Sequence, residues 1–183
     1  MRLGVDLDGV VADFTNGWMR LYNDEFGTAL TPDQVETWSG VLELTHFATK
    51  RDFWRWAHRD EEPSLFRSLD PYPGALDVLA DLNREHQIVI LTAKPSWAVP
   101  DTFAWIAEHR LPTREVHILA QKWMVECDVY LDDSPQQLHD LGYNRPHATV
   151  CRFVRPWNRP LAGVVDVNGW RAFAKLVGKL SVA

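Results

Sequence analysis

The sequence predicts an α/β protein with a doubly wound parallel sheet and a small helical cap inserted after the first strand. Short apolar runs of strand length alternate with helical patterns over most of the chain, which favours right-handed crossovers and an open sheet. The run at 87–92, QIVILT, is nearly continuous in apolar residues, as in a strand covered on both faces. Acidic and hydroxyl residues directly follow these runs, at the carboxyl edge where such sheets carry their sites.

The first part of the chain holds one predicted strand, at 2–5, followed by helical patterns. A helix is predicted at 12–26, where large apolar residues recur at helical spacing. Thr31 and Pro32 are typical of an N-cap and a first helical position, so a second helix is predicted from there to about residue 38. A further helical stretch, rich in aromatic residues, is predicted at 41–57.

Residues 61–63, EEP, are predicted to break this stretch. Because no strand pattern interrupts residues 15–70, we expect them to form the cap, and residues 1–14 and 71–183 to form the core. The remaining predicted elements alternate along the core: helix 75–85, strand 87–92, helix 100–109, strand 116–119, strand 129–131, helix 134–142, strand 148–154 and helix 169–180.

Composition excludes several classes of protein. The net charge of −6, from 19 Lys and Arg against 25 Asp and Glu, disfavours binding to polymeric nucleic acid, which needs a basic surface. No apolar run approaches the roughly 18 residues of a membrane span, and the N-terminus lacks a signal-peptide pattern, so a cytoplasmic protein is expected. Cys127 and Cys151 lie among apolar residues and are predicted to be free core thiols. Both a monomer and a homodimer are compatible with the sequence.

Reactive side chains are expected to meet at one edge of the sheet. They follow the first, second, third and fourth apolar runs: Asp6 and Asp8, then Thr92, then Lys122, then Asp132 and Asp133. An acidic pair alone is also typical of a turn or an N-cap, but four converging carboxylates would repel one another unless they were protonated or bound to a cation. Mg²⁺ is the natural cation, since it takes a few carboxylates and leaves places for water and phosphate oxygen.

This chemistry points to phosphoryl transfer. A carboxylate can attack phosphorus and form an aspartyl phosphate, while a second carboxylate protonates the leaving oxygen and later activates water. Asp6 and Asp8 have the spacing for these two tasks, because residues two apart in an extended segment point the same way. Lys122 can supply an ammonium and Thr92 a hydroxyl donor to the phosphate.

Four motifs, in order, resemble those of haloacid dehalogenase-like phosphatases: DLDGVVADF at 6–14, LT at 91–92, Lys122, and LDD at 131–133. The extension of the first motif is similar to that of the 5'(3')-deoxyribonucleotidase group. Three other features share this similarity: PYPGA at 71–75, FAWI at 103–106, and Trp170. The resemblance implies a Rossmann-like core with a helical cap between the first two motifs.

The resemblance also assigns roles. Asp6 would be the nucleophile and Asp8 the general acid and base. Mg²⁺ would be held by the Asp6 carboxylate, the Asp8 backbone carbonyl and Asp133, with Asp132 acting through water or as a weaker ligand. Phosphate would be bound by Thr92, Ala93 and Lys122. Phe14 and, through a gapped match, Trp38 would stack on the base of the substrate.

The chain departs from the group at two places. The second motif reads TAKP at 92–95 where the group usually has Thr-Ser-Pro, so a hydroxyl is lost and a cation is added. Ala120 stands where the group tends to carry Arg. Lys94 is either a solvated lysine, as most lysines are, or a substrate-binding residue that makes a second phosphate contact.

The predicted function is a Mg²⁺-dependent phosphatase of nucleoside monophosphates, with 5'(3')-deoxyribonucleotides as substrates. A small-metabolite phosphatase on the same scaffold is the alternative, in which the nine tryptophans serve only for packing. A non-catalytic binding protein would be expected if a motif were broken, but all four motif positions are filled. The scattered histidines show no metal-ligand spacing. The segment with Arg152, Arg155, Trp157 and Arg159 is interpreted as a surface loop near the mouth of the site.

Overall fold

Six parallel strands form one sheet in residues 1–59 and 63–182, the residues that this computed structural model describes. The strands lie in the order β3-β2-β1-β4-β5-β6, and every neighbouring pair is parallel. Their bounds are β1 Arg2–Val5, β2 Gln87–Thr92, β3 Glu115–Ile118, β4 Val129–Asp132, β5 Thr149–Phe153 and β6 Val165–Val167. The strand order reverses between β1 and β4, so the doubly wound sheet is confirmed.

Seven α-helices lie in the described part of the chain. Their bounds are α1 Phe14–Phe26, α2 Gly40–Leu44, α3 Lys50–His58, α4 Ala75–Leu82, α5 Val99–Glu108, α6 Pro135–Asn144 and α7 Trp170–Leu180. The Asp13 carboxylate caps α1 by accepting from the Asn16 amide at 3.1 Å, and Gly27 ends the helix at φ +64°. No described helix has both the length and the apolar character that a membrane crossing requires.

The predicted helices between β1 and β2 are partly wrong. The helix expected from Thr31 to about residue 38 is a single 3₁₀ turn, Pro32–Gln34, because Val35 is extended. The single helix expected at 41–57 is two helices, since the Thr49 hydroxyl accepts from the Asp52 amide and caps α3 anew. Residues 61 and 62 of the predicted break lie outside the described residues.

One strand was missed in the sequence. Strand β6 has only three residues at the edge of the sheet, too few for an alternating pattern to be visible. The predicted free core thiols are confirmed, since Cys127 and Cys151 are both buried and unpaired.

The two ends of the segment between β1 and β2 lie side by side and are hydrogen-bonded to each other. The Asp13 amide donates to the carbonyl of Asp70, and the Tyr72 amide donates to that of Val11, both at 2.8 Å. Ala12 and Pro71 form an antiparallel bridge at the same point. Residues 14–59 and 63–70 contribute no strand to the sheet, and the chain enters and leaves this segment at that bridge.

Aromatic rings fill the interior of this segment. Phe53 is buried and packs edge-on against Trp18 at a ring-centroid distance of 6.3 Å. Phe66 stacks on Phe14 at 6.0 Å and on Trp54 at 5.8 Å. Three of the nine tryptophans, Trp18, Trp54 and Trp56, are thus explained by packing among α1, α3 and the 3₁₀ turn Leu65–Arg67.

Polar side chains connect the amino-terminal ends of β1, β2 and β3. The Arg2 guanidinium of β1 donates two hydrogen bonds of 2.9 Å to the Glu115 carboxylate of β3. It also donates to the Gln87 side chain of β2 at 3.0 Å. The hydrogen bond from Arg2, and then that from His117, lower the pKa of Glu115 to about 2. This carboxylate therefore stabilises the fold above its ordinary pKa of 4.5, and the contribution is lost as the pH falls from there toward 2.

Replacement Glu115→Gln is expected to lower the free energy of unfolding at pH 7 by about 1 kcal/mol or less, as is usual for a partly exposed pair. The difference from the wild type should shrink when urea unfolding is measured at pH 3. Glu85→Gln, at an exposed position at the end of α4, serves as the control and should show no such pH dependence. A difference that stays constant between pH 7 and pH 3 would contradict the ionic role of Glu115.

Candidate active site

Three of the predicted site residues lie side by side at the carboxyl edge of the sheet. Asp6 follows β1 directly, while Thr92 and Asp132 are the last residues of β2 and β4, the two neighbours of β1. The Asp6 amide donates to the carbonyl of Leu131 at 3.0 Å, which continues the pairing of β1 with β4. Parallel pairing alone thus brings the side chains of distant motifs to one place.

A cluster of acidic side chains forms at this edge. Carboxylate oxygens of Asp6, Asp132 and Asp133 lie within 4.8 Å of one another, and all three residues are buried. Burial and the neighbouring carboxylates, Asp6 foremost, raise the pKa of Asp133 well above its usual range. Burial also raises the pKa of Asp132 to about 6, although Lys122 opposes it. Clustered hard oxygen ligands of this kind fit a divalent cation such as Mg²⁺.

Lys122 bridges two members of the cluster. Its Nζ lies 2.8 Å from Asp6 Oδ1 and 2.5 Å from Asp132 Oδ2, and its side chain is 3% exposed. Burial disfavours the charge on Lys122, but the Asp132 and Asp6 carboxylates outweigh it and raise the pKa of the ammonium. Lys122 is therefore a buried cation of the site and not a solvated lysine.

Asp8 is turned away from this cluster and toward Lys94. The Lys94 Nζ donates to Asp8 Oδ2 and lies 3.7 Å from the centroid of the Phe66 ring. The Lys94 side chain is 1% exposed, so it is not the solvated lysine that its residue type favours. Burial is the main cause that raises the pKa of Asp8 and lowers that of Lys94, against their mutual attraction. The carboxylate of Asp8 does not join those of Asp6, Asp132 and Asp133.

A cavity of about 390 Å³ opens above the cluster. Asp6, Asp8 and Asp133 line it on the side of the sheet, together with the predicted phosphate-binding residues Thr92, Ala93 and Lys122. The Thr92 hydroxyl is buried and has no partner among the described residues. This hydroxyl is thus available for a ligand oxygen.

The opposite wall of the cavity is aromatic. Phe14 and Trp38, the predicted base-stacking residues, both line it, as do Trp54 and Phe66. Trp38 is 52% exposed, whereas Phe14 is held between other rings. Lys94 does not line the cavity, so its predicted contact with substrate would require its pair with Asp8 to open.

Comparison with known proteins identifies the family. Residues 1–181 match the sequence profile described as 5' nucleotidase, deoxy (pyrimidine), cytosolic type C protein. This chain belongs to that nucleotidase family. The resemblance to the deoxyribonucleotidase group is confirmed, and the chain is a phosphoric monoester hydrolase of the 5'-nucleotidase type.

Individual relatives agree with this family. The cytosolic-type 5'(3')-deoxyribonucleotidase of Homo sapiens is 29% identical over 149 residues, which cover 73% of this chain and 70% of the human protein. The 5'(3')-deoxyribonucleotidase of Clostridium acetobutylicum is 25% identical over 145 residues, which cover 78% of each chain. Among solved structures, the HAD-hydrolase YfnB of Bacillus subtilis, bound to magnesium, shares the fold. Its TM-score is 0.63 at 12% identity, with coverage of 96% of this chain and 97% of YfnB.

One group of residues in the nucleotidase site was given no role from the sequence. The segment from Arg152 to Arg159 was interpreted as a surface loop near the mouth of the site, but Arg152 of β5 is buried, and the Arg155 guanidinium donates to the carbonyl of Gly9 at 2.8 Å. Trp157 lines the cavity and donates from its indole Nε1 to Asp133 Oδ2 at 2.9 Å. The position of this loop directly after an apolar run is the signal that could have found it, since the same rule found the other motifs.

The buried pair of Lys94 and Asp8 is expected to stabilise the nucleotidase fold. Lys94→Met leaves a buried carboxylate without its cation, so the free energy of unfolding should fall by about 3 kcal/mol. In an Asp8→Asn background the same replacement should cost at least about 1 kcal/mol less, which urea unfolding of the double-mutant cycle measures. Lys175→Met, at an exposed position of α7, is the control and should change the free energy by less than about 0.5 kcal/mol. Equal costs of Lys94→Met in both backgrounds would show that the pair does not contribute.

Proposed function

We propose that the chain hydrolyses nucleoside monophosphates, with 5'(3')-deoxyribonucleotides as its substrates, through an aspartyl phosphate at Asp6. One observation carries the proposal: the buried Asp6 carboxylate lies at the base of a cavity whose opposite wall is aromatic. The part of the cavity beside Asp6 suits a phosphate, and the aromatic wall suits a flat base. The names of the human and Clostridium relatives support the choice of deoxyribonucleotides.

Asp6 and Asp8 carry the chemical steps of this proposal. An Asp6 oxygen attacks phosphorus, the bond from phosphorus to the ester oxygen breaks, and Asp8 gives a proton to the departing alcohol. Water then attacks the aspartyl phosphate and passes a proton to Asp8, which releases inorganic phosphate and restores Asp6. The position of Asp8 in the cavity wall, two residues beyond Asp6, supports its role as general acid and base.

Phosphate binding is assigned to Thr92, Ala93 and Lys122. The Thr92 hydroxyl has no hydrogen-bond partner in the described part of the protein, and the Lys122 ammonium already lies beside the nucleophile. An ammonium at this point lowers the repulsion between the anionic nucleophile and the anionic ester.

The residues present fit Mg²⁺ as cofactor. The Asp6 and Asp133 carboxylates and the Asp8 backbone carbonyl would hold the ion, with Asp132 acting through water or as a weaker ligand. The buried Asp133 Oδ1, which has no hydrogen-bond partner among the described residues, supports this assignment. When bound, the ion supplies positive charge that offsets the charge of the phosphate and of the nucleophile.

The cap, the substrate and the location of the protein complete the proposal. Residues 15–70 form the cap and residues 1–14 and 71–183 the core, as the paired backbone at Ala12 and Pro71 supports. Phe14 and Trp38 stack on the base, and Lys94 approaches substrate only if it leaves Asp8. The partner is a small phosphomonoester rather than a nucleic-acid polymer or a membrane. The cytosolic type of the human relative supports a cytoplasmic location.

Replacement Asp6→Asn tests the nucleophile. Phosphate release from deoxyribonucleoside monophosphates should fall on the order of 10⁴-fold or more, because the amide cannot form the acyl phosphate. Circular dichroism should show a retained fold. Asp77→Asn, at an exposed acid of α4, is the matched control and should keep its activity. Unchanged turnover by the Asp6→Asn protein would rule out an aspartyl phosphate at this residue.

Replacement Trp38→Ala tests the base-binding wall. The KM for deoxyribonucleoside monophosphates should rise by roughly tenfold, since base stacking on an aromatic side chain contributes about 1–3 kcal/mol. The KM for ribose 5-phosphate, which has no base, should not change. Phe103→Ala, at an exposed ring of α5 outside the cavity, is the control. If wild-type protein turns over ribose 5-phosphate as well as nucleotides, the substrate assignment is wrong and the chain is a small-metabolite phosphatase.

A further inference from the structure

The two carboxylate oxygens of Asp133 have different surroundings. Oδ2 accepts a hydrogen bond from the indole Nε1 of Trp157 at 2.9 Å. Oδ1 is buried and has no hydrogen-bond partner in the described part of the chain. A buried carboxylate oxygen without a donor is costly. Oδ1 is therefore the atom of this side chain that remains to bind a cation.

Gly9 allows the Asp133 carboxylate to come close to the loop after β1. The φ angle of Gly9 is +79°, and a Cβ at this residue would lie only 2.2 Å from Asp133 Oδ2. A side chain at this position would displace Oδ2 or strain the loop. The loop after β5 reinforces the arrangement, because Arg155 donates to the Gly9 carbonyl at 2.8 Å. Oδ2 thus lies between Gly9, whose backbone comes close because it has no side chain, and the Trp157 indole, which donates to it.

The direction of the Trp157 indole is set by the next residue. The buried Asn158 side chain donates from its amide nitrogen to the carbonyls of Asp133 and Phe153, at 2.8 and 2.9 Å. Its oxygen accepts from the Arg152 guanidinium at 2.8 Å. These bonds tie the loop to the backbone of Asp133 itself, so Trp157 and the carboxylate are held by one network.

We propose that Trp157 is a positioning residue for metal binding, which holds Oδ2 of Asp133 and so directs Oδ1 toward the cation. This inference rests on the proposed metal-dependent function. Donors that orient a metal ligand from behind contribute roughly 10- to 100-fold to metal affinity. The indole hydrogen bond engages Oδ2, which leaves Oδ1 as the carboxylate oxygen without a partner among the described residues.

Replacement Trp157→Phe tests this role, because it keeps an aromatic ring and removes the N–H donor. Isothermal titration of Mg²⁺ into the protein without substrate should give a dissociation constant at least about tenfold higher than in the wild type. The concentration of Mg²⁺ that half-activates phosphate release should rise by a similar factor. At saturating Mg²⁺, kcat should recover to within about threefold of the wild type, whereas a purely structural defect would not respond to the metal.

Trp170→Phe is the matched control. Trp170 is buried whereas Trp157 is half-buried, its indole nitrogen has no partner among the described residues, and it begins α7 outside the cavity. Its replacement should leave the Mg²⁺ dissociation constant unchanged. An unchanged constant in Trp157→Phe overturns the inference, and so does an equal increase in Trp170→Phe. If the wild-type protein binds no Mg²⁺ at all, the proposed cofactor is wrong, and the inference about Trp157 is wrong with it. If the wild type binds Mg²⁺ and Trp157→Phe binds it equally well, only the inference about Trp157 is wrong.

A measurement on wild-type protein covers the case in which Trp157→Phe does not fold. The indole ¹H–¹⁵N resonance of Trp157 should shift on addition of Mg²⁺, because its acceptor becomes part of a metal ligand. The corresponding resonance of Trp170 should stay in place. A Trp157 resonance that is insensitive to saturating Mg²⁺ would overturn the inference.

Discussion

The mutual repulsion of carboxylates at the carboxyl edge of the sheet is the constraint on which the site depends. Asp6, Asp132 and Asp133 are buried with oxygens within 4.8 Å of one another, where water cannot screen their charges. Lys122 offsets part of this repulsion by bridging Asp6 and Asp132. Asp133 forms no ion pair in the described residues. Its Oδ2 accepts a hydrogen bond from the Trp157 indole, and its Oδ1 has no hydrogen-bond partner among those residues. Asp133 Oδ1 is therefore the atom at which the proposed cation would bind.

The same site holds a second buried ion pair with a separate task. Lys94 and Asp8 neutralise each other at the cavity wall, so Asp8 stays apart from the metal-type cluster although it is only two residues from Asp6. The cation–π contact of Lys94 with Phe66 joins this pair to the segment between β1 and β2. The acid assigned to the leaving group and the acids assigned to the ion are thus kept in different electrostatic surroundings, as division of roles between carboxylates requires.

The insertion after β1 gives the site its second wall. It leaves and returns at Ala12 and Pro71, and it packs aromatic rings from α1, α3 and the turn Leu65–Arg67 over the strand ends. These rings pack against one another, and Phe14, Trp54 and Phe66 also line the cavity together with Trp38. Packing thus accounts for many of these rings, while base stacking by Phe14 and Trp38 stays a prediction.

Local patterns in the sequence determined the sheet, because buried parallel strands require apolar runs and their carboxyl ends must share an edge. Asp6, Thr92 and Asp132 could be placed together for that reason alone. The sequence could not determine where a helix would restart, as at Thr49, since a single capping hydrogen bond decides it. Only the tertiary structure decided that Lys94 is buried against Asp8 and that Trp157 holds Asp133. The physical reason is that a charge or an N–H donor finds its partner through space, over separations of 86 and 24 residues, and the spacing of residues along the chain carries no record of that choice.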